Sequence, residues 1–353
     1  MIGTKVRIIM ICSIEWSAFT SKKNVYRLCR LFNMEVRKGY NSRRELLVKD
    51  EANTWKKTAT NRHLFIEIRK QEGKYKLTVR GSLHKFYHGN NKGSFDGWEV
   101  MAALSEVYKL FEIAPGEAII NKLEVGINLP VWFKVFEYLK KNLLYHKKKL
   151  KQDFKDAGIG FVFKYEDYLL KLYQKDQQLL RFEIRYLSKE KLDGFSIRTL
   201  ADLNEENINE LGYSLLREWK EIVMRGGLNV IDKKNNPSGL TEKHIDDFKT
   251  FTSEGYYQSY NEELEKALDN RNNKRSDALR QAALRLRRAC MFILNTYGDG
   301  VHKKLEYMMG ESIERFINTW EGSSRLNVTI SDFDKKQENV TIDNMTSEKQ
   351  IAA

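Results

Sequence analysis

Apolar positions recur along this chain with two periods, two residues in some stretches and three to four in others. A period of two marks half-buried strands, because successive side chains leave a strand on opposite faces. The longer period marks helices with one packed stripe. Alternation runs through 5–11, 63–70, 75–86, 119–129, 159–163, 168–175 and 179–187. Gly73 and Lys74 supply a short turn between the second and third of these, predicting a hairpin, and 164–167 reads as another turn. Helical spacing occurs at 96–112, where Val100, Leu104, Val107 and Leu110 or Phe111 share a stripe. It recurs at 131–152, where Phe136, Leu139 and Leu143 do so and a lysine run follows. Short turns between several strands predict an α+β fold, a mainly antiparallel sheet with these two helices on its apolar face, covering Leu64, Val79, Leu123 and Ile184.

From about residue 199 the pattern turns helical. Leu211, Leu215, Trp219 and Ile222 mark a helix over 203–225, and a Gly/Asn-rich break follows at 226–239. A further helix over 276–297 has Ser276 as its cap, Leu279, Ala283, Leu286, Cys290 and Ile293 as its stripe, and Gly298 as its stop. Its outer face carries Arg280, Arg285, Arg287 and Arg288. The sequence thus divides into an α+β domain at 1–198, a helical domain at 199–322 and a tail at 323–353 without packing periodicity, expected to be disordered. No internal repeat is visible.

Sorting each strand by alternation gives a second, charged face. Glu67 and Arg69 oppose Leu64, Ile66 and Ile68; Thr78, Arg80, Ser82 and His84 oppose Leu77, Val79 and Leu83. Lys122, Glu124 and Asn128 oppose Leu123, Val125 and Ile127; Lys171, Tyr173 and Lys175 oppose Leu170 and Leu172; Arg181, Glu183 and Arg185 oppose Phe182, Ile184 and Tyr186. Isolated surface ion pairs contribute little, so five strands carrying carboxylates among cations need a reason. Glu124 and Glu183 converging from separate strands suit a hard divalent cation, Mg²⁺ or Mn²⁺. The surrounding Lys and Arg suit phosphate, and a tyrosine beside them suits attack on phosphorus. The plain alternative is the solvated sheet face of a basic binding protein.

Composition narrows the partner. The 353 residues carry a formal net charge of +13, which attracts polyanions, nucleic acid first, since each neutralised phosphate releases counterions. No apolar window approaches the length needed to span a bilayer, so a membrane is not expected as partner. The opening residues read as a first strand rather than a signal peptide. Cys12, Cys29 and Cys290 are odd in number and widely spaced, which fits neither a disulfide framework nor a zinc cluster and points to a reducing cytoplasm.

Three blocks, 77-LTVRGSLHKFYHGNN-91, 122-KLEVGINL-129 and 169-LLKLYQKDQQLLRFEIR-185, resemble in order and spacing the rolling-circle replication initiators of phages and plasmids. That group contains the filamentous-phage gene II protein and related Rep proteins. The resemblance covers about residues 1–200. It implies nicking of an origin strand by a tyrosine that stays linked to the 5′ phosphate, within a bacterial host cell and with a host helicase as a possible partner. Carried over, Glu124 stands where the family has Asp, Glu183 is the glutamate of the L-R-F-E block, and both would hold the metal. Lys175 ends the Y-x-K signature, with Gln174 in place of Asp. The nucleophile stays open between Tyr173, on the polar face beside Lys171 and Lys175, and Tyr165 or Tyr168, near the preceding turn. The His-hydrophobic-His ligand pair of many related nucleases is absent. His84 on the polar face is a candidate third ligand, with a structural role as the alternative. Arg80, Lys171, Arg181, Arg185 and the run Lys147, Lys148 and Lys149 are the expected DNA contacts. The competing reading is a non-catalytic DNA-binding module with the same sheet.

Overall fold

The computed structural model describes residues 10–37, 55–91, 95–147, 149–153, 160–224, 240–253, 256–297 and 300–319. The expected strand positions 5–9, the break at 226–239, the helix stop at Gly298, Lys148 and the tail at 323–353 lie outside these.

The polypeptide first forms β1 (Met10–Thr20), α1 (Lys22–Leu31), β2 (Glu35–Arg37) and a meander of β3 (Trp55–Asn61), β4 (Leu64–Gln71) and β5 (Lys74–Gly81), then α2 (Leu83–His88) and α3 (Gly97–Phe111). It continues with β6 (Ile119–Pro130), α4 (Val135–Asn142), β7 (Leu143–His146), β8 (Lys149–Leu150) and β9 (Gln152–Asp153). A second meander of β10 (Gly160–Lys164), β11 (Tyr168–Asp176) and β12 (Leu179–Tyr186) follows, with α5 (Lys189–Asp193) after it. Among the described residues ten strands make one sheet in the order β2-β3-β4-β5-β1-β6-β12-β11-β10-β9, and every pairing is antiparallel. The turn from β4 to β5 sits at Glu72 and Gly73, whose φ values of 51° and 77° are both left-handed. That geometry matches the twist of paired strands and places the turn one residue earlier than the pattern predicted.

This order holds a duplication that the sequence does not show. β1, α1 and the meander β3-β4-β5, whose last strand returns beside β1, have the same connectivity as β6, α4 and the meander β10-β11-β12, whose last strand returns beside β6. Ser82 caps the helix after the first unit's last strand and Ser188 caps the helix after the second's. The two units meet where β1 pairs antiparallel with β6, which relates them by an approximate two-fold axis through the sheet.

The apolar face is buried as the alternation requires: Leu64, Val79, Leu123 and Ile184 each belong to the main core. That core extends beyond residue 199. α6 (Glu205–Lys220) and α10 (Val301–Thr319) pack on β6 and contribute Leu211, Leu215, Trp219, Leu305, Met309 and Ile313. The helix expected over 131–152 stops at Asn142. Leu143, Leu144, Tyr145 and His146 form instead the strand β7, every residue of it buried, because it is covered on both sides. Leu143 joins the main core, while Leu144 and Tyr145 join a second one. The second core gathers Val223 of β13 (Ile222–Met224) with side chains of α7 (Glu242–Thr252), α8 (Tyr256–Asp269) and α9 (Asn273–Tyr297). α9 starts three residues before the expected cap, and Ser276 lies inside it, donating back to the Asn273 carbonyl. No helix among the described residues is long and apolar enough to cross a membrane.

Candidate active site

On the polar face of the second unit the register sets out rows. Gly126, Glu183, Lys171 and Val162 are mutually opposed across β6, β12, β11 and β10, and Asn128, Arg181, Tyr173 and Gly160 form the next row. Glu124 opposes Arg185 on β12 and Ser13 on β1. A register shift between Ile11 and Ser13 lets Cys12 join them. Two glycines make this packing possible. A Cβ on Gly126 would fall 2.7 Å from Glu183 Cγ and 3.0 Å from Cys12 Sγ, and one on Gly160 would fall 2.2 Å from Tyr173 Cβ.

The structure gathers the expected carboxylates and cations into one buried network. Lys171 Nζ donates to Glu124 Oε2 at 2.8 Å and to Glu183 Oε2 at 3.4 Å. Arg185 Nε donates to Glu124 and Arg181 Nε to Glu183, while Arg181 Nη1 reaches Asn128 Oδ1 at 3.0 Å. The Tyr173 hydroxyl donates to Glu183 Oε1 at 2.8 Å. Lys171, Arg181 and Glu183 are almost wholly buried. Burial alone would raise the Glu183 carboxyl, but Arg181 and Lys171 outweigh it and hold the group ionised, well below the usual carboxylate range. Tyr173 shifts upward, because burial and then the Glu183 charge oppose phenolate. The Arg181 charge acts the other way and is outweighed. Burial, with Arg181 adding to it, pulls the half-buried Lys175 below its usual value. Asn128 spends its oxygen on Arg181, and among the described residues its buried Nδ2 has no hydrogen-bond partner.

Cys12, Glu124 and Glu183 present one ligand atom each within 4.8 Å of one another. Burial keeps the Cys12 thiol protonated, so the hard donors are the two carboxylates. Mg²⁺ often takes no more than one or two carboxylates from a protein. In this structure the point between them is held by the Lys171 ammonium. The two carboxylates are the residues that could hold a divalent cation, at a point the Lys171 ammonium occupies.

Other expected residues lie elsewhere. His84 is not on a strand: β5 ends at Gly81, Ser82 caps α2, and His84 sits buried in that helix, stacked on Phe95 with centroids 4.9 Å apart. It takes no part in the cluster of possible ligands, where Cys12 stands instead. Arg80 lies in the first unit, its guanidinium 4.4 Å over the Phe65 ring. Lys147 belongs to the β7–β8 turn rather than a helix end. Its Nζ reaches Glu218 Oε2 at 2.7 Å and the Tyr168 hydroxyl at 3.0 Å. Lys149 lies on β8.

Tyr165 and Tyr168 are likewise removed from the carboxylate pair. Tyr168 opens β11 opposite Tyr186, on the apolar side of the alternation, and its ring stacks on Tyr165 at 4.5 Å. The Tyr165 hydroxyl meets His146 Nδ1 at 2.7 Å, and His146 Nε2 lies 2.9 Å from Glu218 Oε2. Burial keeps His146 neutral below its ordinary value. The neutral ring donates from Nε2 to Glu218, and the one Tyr165 hydroxyl proton is shared between Nδ1 and the His146 carbonyl, 2.8 Å away. Hydrogen bonds from His146 and Lys147 overcome burial to bring Glu218 down to about 2, and Tyr168 shifts upward through burial and the Glu218 charge. His146 and Glu218 were absent from the sequence expectations. Their one signal was a lone His in an all-apolar tetrapeptide, which gives no pairing partner.

No family model and no curated protein matches the chain. Among solved structures, one titled "Methanococcus jannaschii TBP" aligns over 60% of this chain and 98% of its own, at 9% identity and a TM-score of 0.28. A likeness that slight bears on neither fold nor function.

Proposed function

We propose that this protein nicks and rejoins DNA through Tyr173, starting rolling-circle replication of a phage or plasmid in the cytoplasm of a bacterial host. The observation that carries the reading is the Tyr173 hydroxyl bonded to Glu183 within a patch lined by Lys171, Arg181 and Arg185. The resemblance of the three blocks to replication initiators agrees with it. Tyr173 Oη attacks phosphorus, its proton passes by way of the Glu183 carboxylate to the departing 3′ oxygen, which leaves as a hydroxyl, and the 5′ phosphate stays on the tyrosine. Reversal by a 3′ hydroxyl rejoins the strand. Lys171, Arg181 and Arg185 stabilise charge on the phosphoryl oxygens, and the unmatched Asn128 Nδ2 gains an acceptor there. A divalent cation held by Glu124 and Glu183 would supply Lewis-acid polarisation of the phosphate, releasing Lys171 toward the DNA. The raised Tyr173 keeps the phenol protonated until a phosphate draws these cations away from Glu183.

A non-catalytic DNA-binding module is the second reading. It is favoured by the closure of the network, in which three cations already satisfy two carboxylates. Incubation with supercoiled DNA carrying the replicon's own origin separates the two. The enzyme gives relaxed product and protein-linked 5′ ends, stops with EDTA, and loses the adduct in Tyr173→Phe. Salt-sensitive binding without adduct establishes the module, and a phosphotyrosyl peptide containing Tyr165 moves the chemistry to the His146–Glu218 pair.

A further inference from the structure

The first unit carries a pattern of its own on the same face. Lys56, Arg69, Lys76 and Phe19 are directly opposed across β3, β4, β5 and β1. Two residues along, Thr58, Glu67, Thr78 and Ser17 form a row, and after it come Thr60, Phe65, Arg80, Glu15 and Lys122. Phe19 is 67% exposed in the middle of the sheet, with Lys74 Nζ 5.9 Å from its ring. Glu67 is engaged by Lys56 and Arg69, and Glu15 by Lys122. Lys74, Lys76 and Arg80 are exposed, and among the described residues no ion pair engages them.

The approximate two-fold axis gives the pattern its meaning. It superposes Lys56, Arg69, Lys76 and Phe19 on Gly160, Tyr173, Arg181 and Asn128, the row that holds the candidate nucleophile. Where one unit has a largely buried row, the other has exposed and half-exposed cations ending in an exposed ring. A single exposed aromatic is ordinary. One lying in register with a file of cations has the composition of a stacking platform for unpaired bases, with phosphates tracking the charges.

We propose that this face of the first unit binds single-stranded DNA, Phe19 stacking on a base while Lys74, Lys76 and Arg80 hold the phosphates of the strand that enters the Tyr173 site. The proposal rests on reading that site as one that acts on DNA. β5 and β12 are three strand spacings apart, about 14 Å, within the four or more nucleotides such platforms hold. A duplex keeps its bases stacked on one another and offers Phe19 no ring face.

The test is fluorescence anisotropy of the full chain with a labelled thymidine homopolymer, in EDTA so that no strand is cut. Phe19→Ala weakens binding about tenfold. The pair Lys76→Ala and Arg80→Ala lowers the slope of log affinity against log salt by about 1.4. Unchanged affinity in Phe19→Ala overturns the proposal. So does an equal loss on replacing Arg285 and Arg288 of α9 with alanine, which would reduce the effect to net charge, or tighter binding of a duplex of equal length. Platform-dependent binding without adduct on origin DNA refutes the nicking reading alone. Adduct formation with undiminished binding in the platform variants refutes the platform alone.

Discussion

Gly126 shows how much of the candidate site depends on a missing side chain. Glu183 and Cys12 both occupy the space a Cβ would need there, with Phe182 O at 2.8 Å as well. Gly126→Ala therefore forces one of the two aside in a packed interior. We expect a loss of about 1–3 kcal/mol in denaturant unfolding, together with loss of any nicking activity, whereas unchanged stability would mean the strand yields at no cost. Tyr173→Phe removes only a hydroxyl and is the milder probe of chemistry. Glu183→Gln leaves two buried cations short of charge, so its inactivity counts only if circular dichroism shows a folded chain. At this scale the sequence was informative where alternation operates. It placed Glu124, Glu183, Lys171, Tyr173, Arg181 and Arg185 on one face, and they meet there. It misplaced His84 because a serine cap ends β5 in the middle of an alternating run, and it passed over Cys12 because a bulge is invisible to alternation.

Among the elements, β7 is the one whose surroundings contradict its neighbours in sequence. A strand buried on both faces has no alternation to read, and the lysines after it resemble a helix end. Through His146 it ties α6 to the turn between β10 and β11, which makes the joint sensitive to acid. His146 is held below 6.5 and Glu218 is brought from 4.5 to about 2, so the unfolded chain takes up protons first in each case. Stability from His146 is complete above about pH 6.5 and declines below it. That from Glu218 is complete above about pH 4.5 and is lost as the pH falls toward 2. Asp96, raised by burial and Glu99, works in the opposite sense. Thermal melts should be level from pH 8 to 7 and fall in two stages below that, and a melting temperature that rises between pH 7 and 5 would contradict the assignment.

At the scale of the whole molecule, the antiparallel α+β class followed from short turns and alternation, whereas the duplication did not. Residues equivalent under the axis, such as Arg69 with Tyr173 or Phe19 with Asn128, share little chemistry. The repeat survives in which strand bonds to which, and hydrogen-bond partners are not written locally in a sequence. The axis also bears on direction. A two-fold rotation in the plane of contact reverses any arrow drawn across the sheet, and a DNA strand is an arrow, 5′ to 3′. One continuous strand lying over both units meets the second with its polarity inverted relative to the first, so identical units could not read it alike. Units that differ, one offering a ring and open cations and the other a tyrosine among carboxylates, give the strand a single heading. An oligonucleotide whose polarity is inverted by a 3′–3′ linkage between the two footprints should then bind the platform yet fail to present its phosphate to Tyr173.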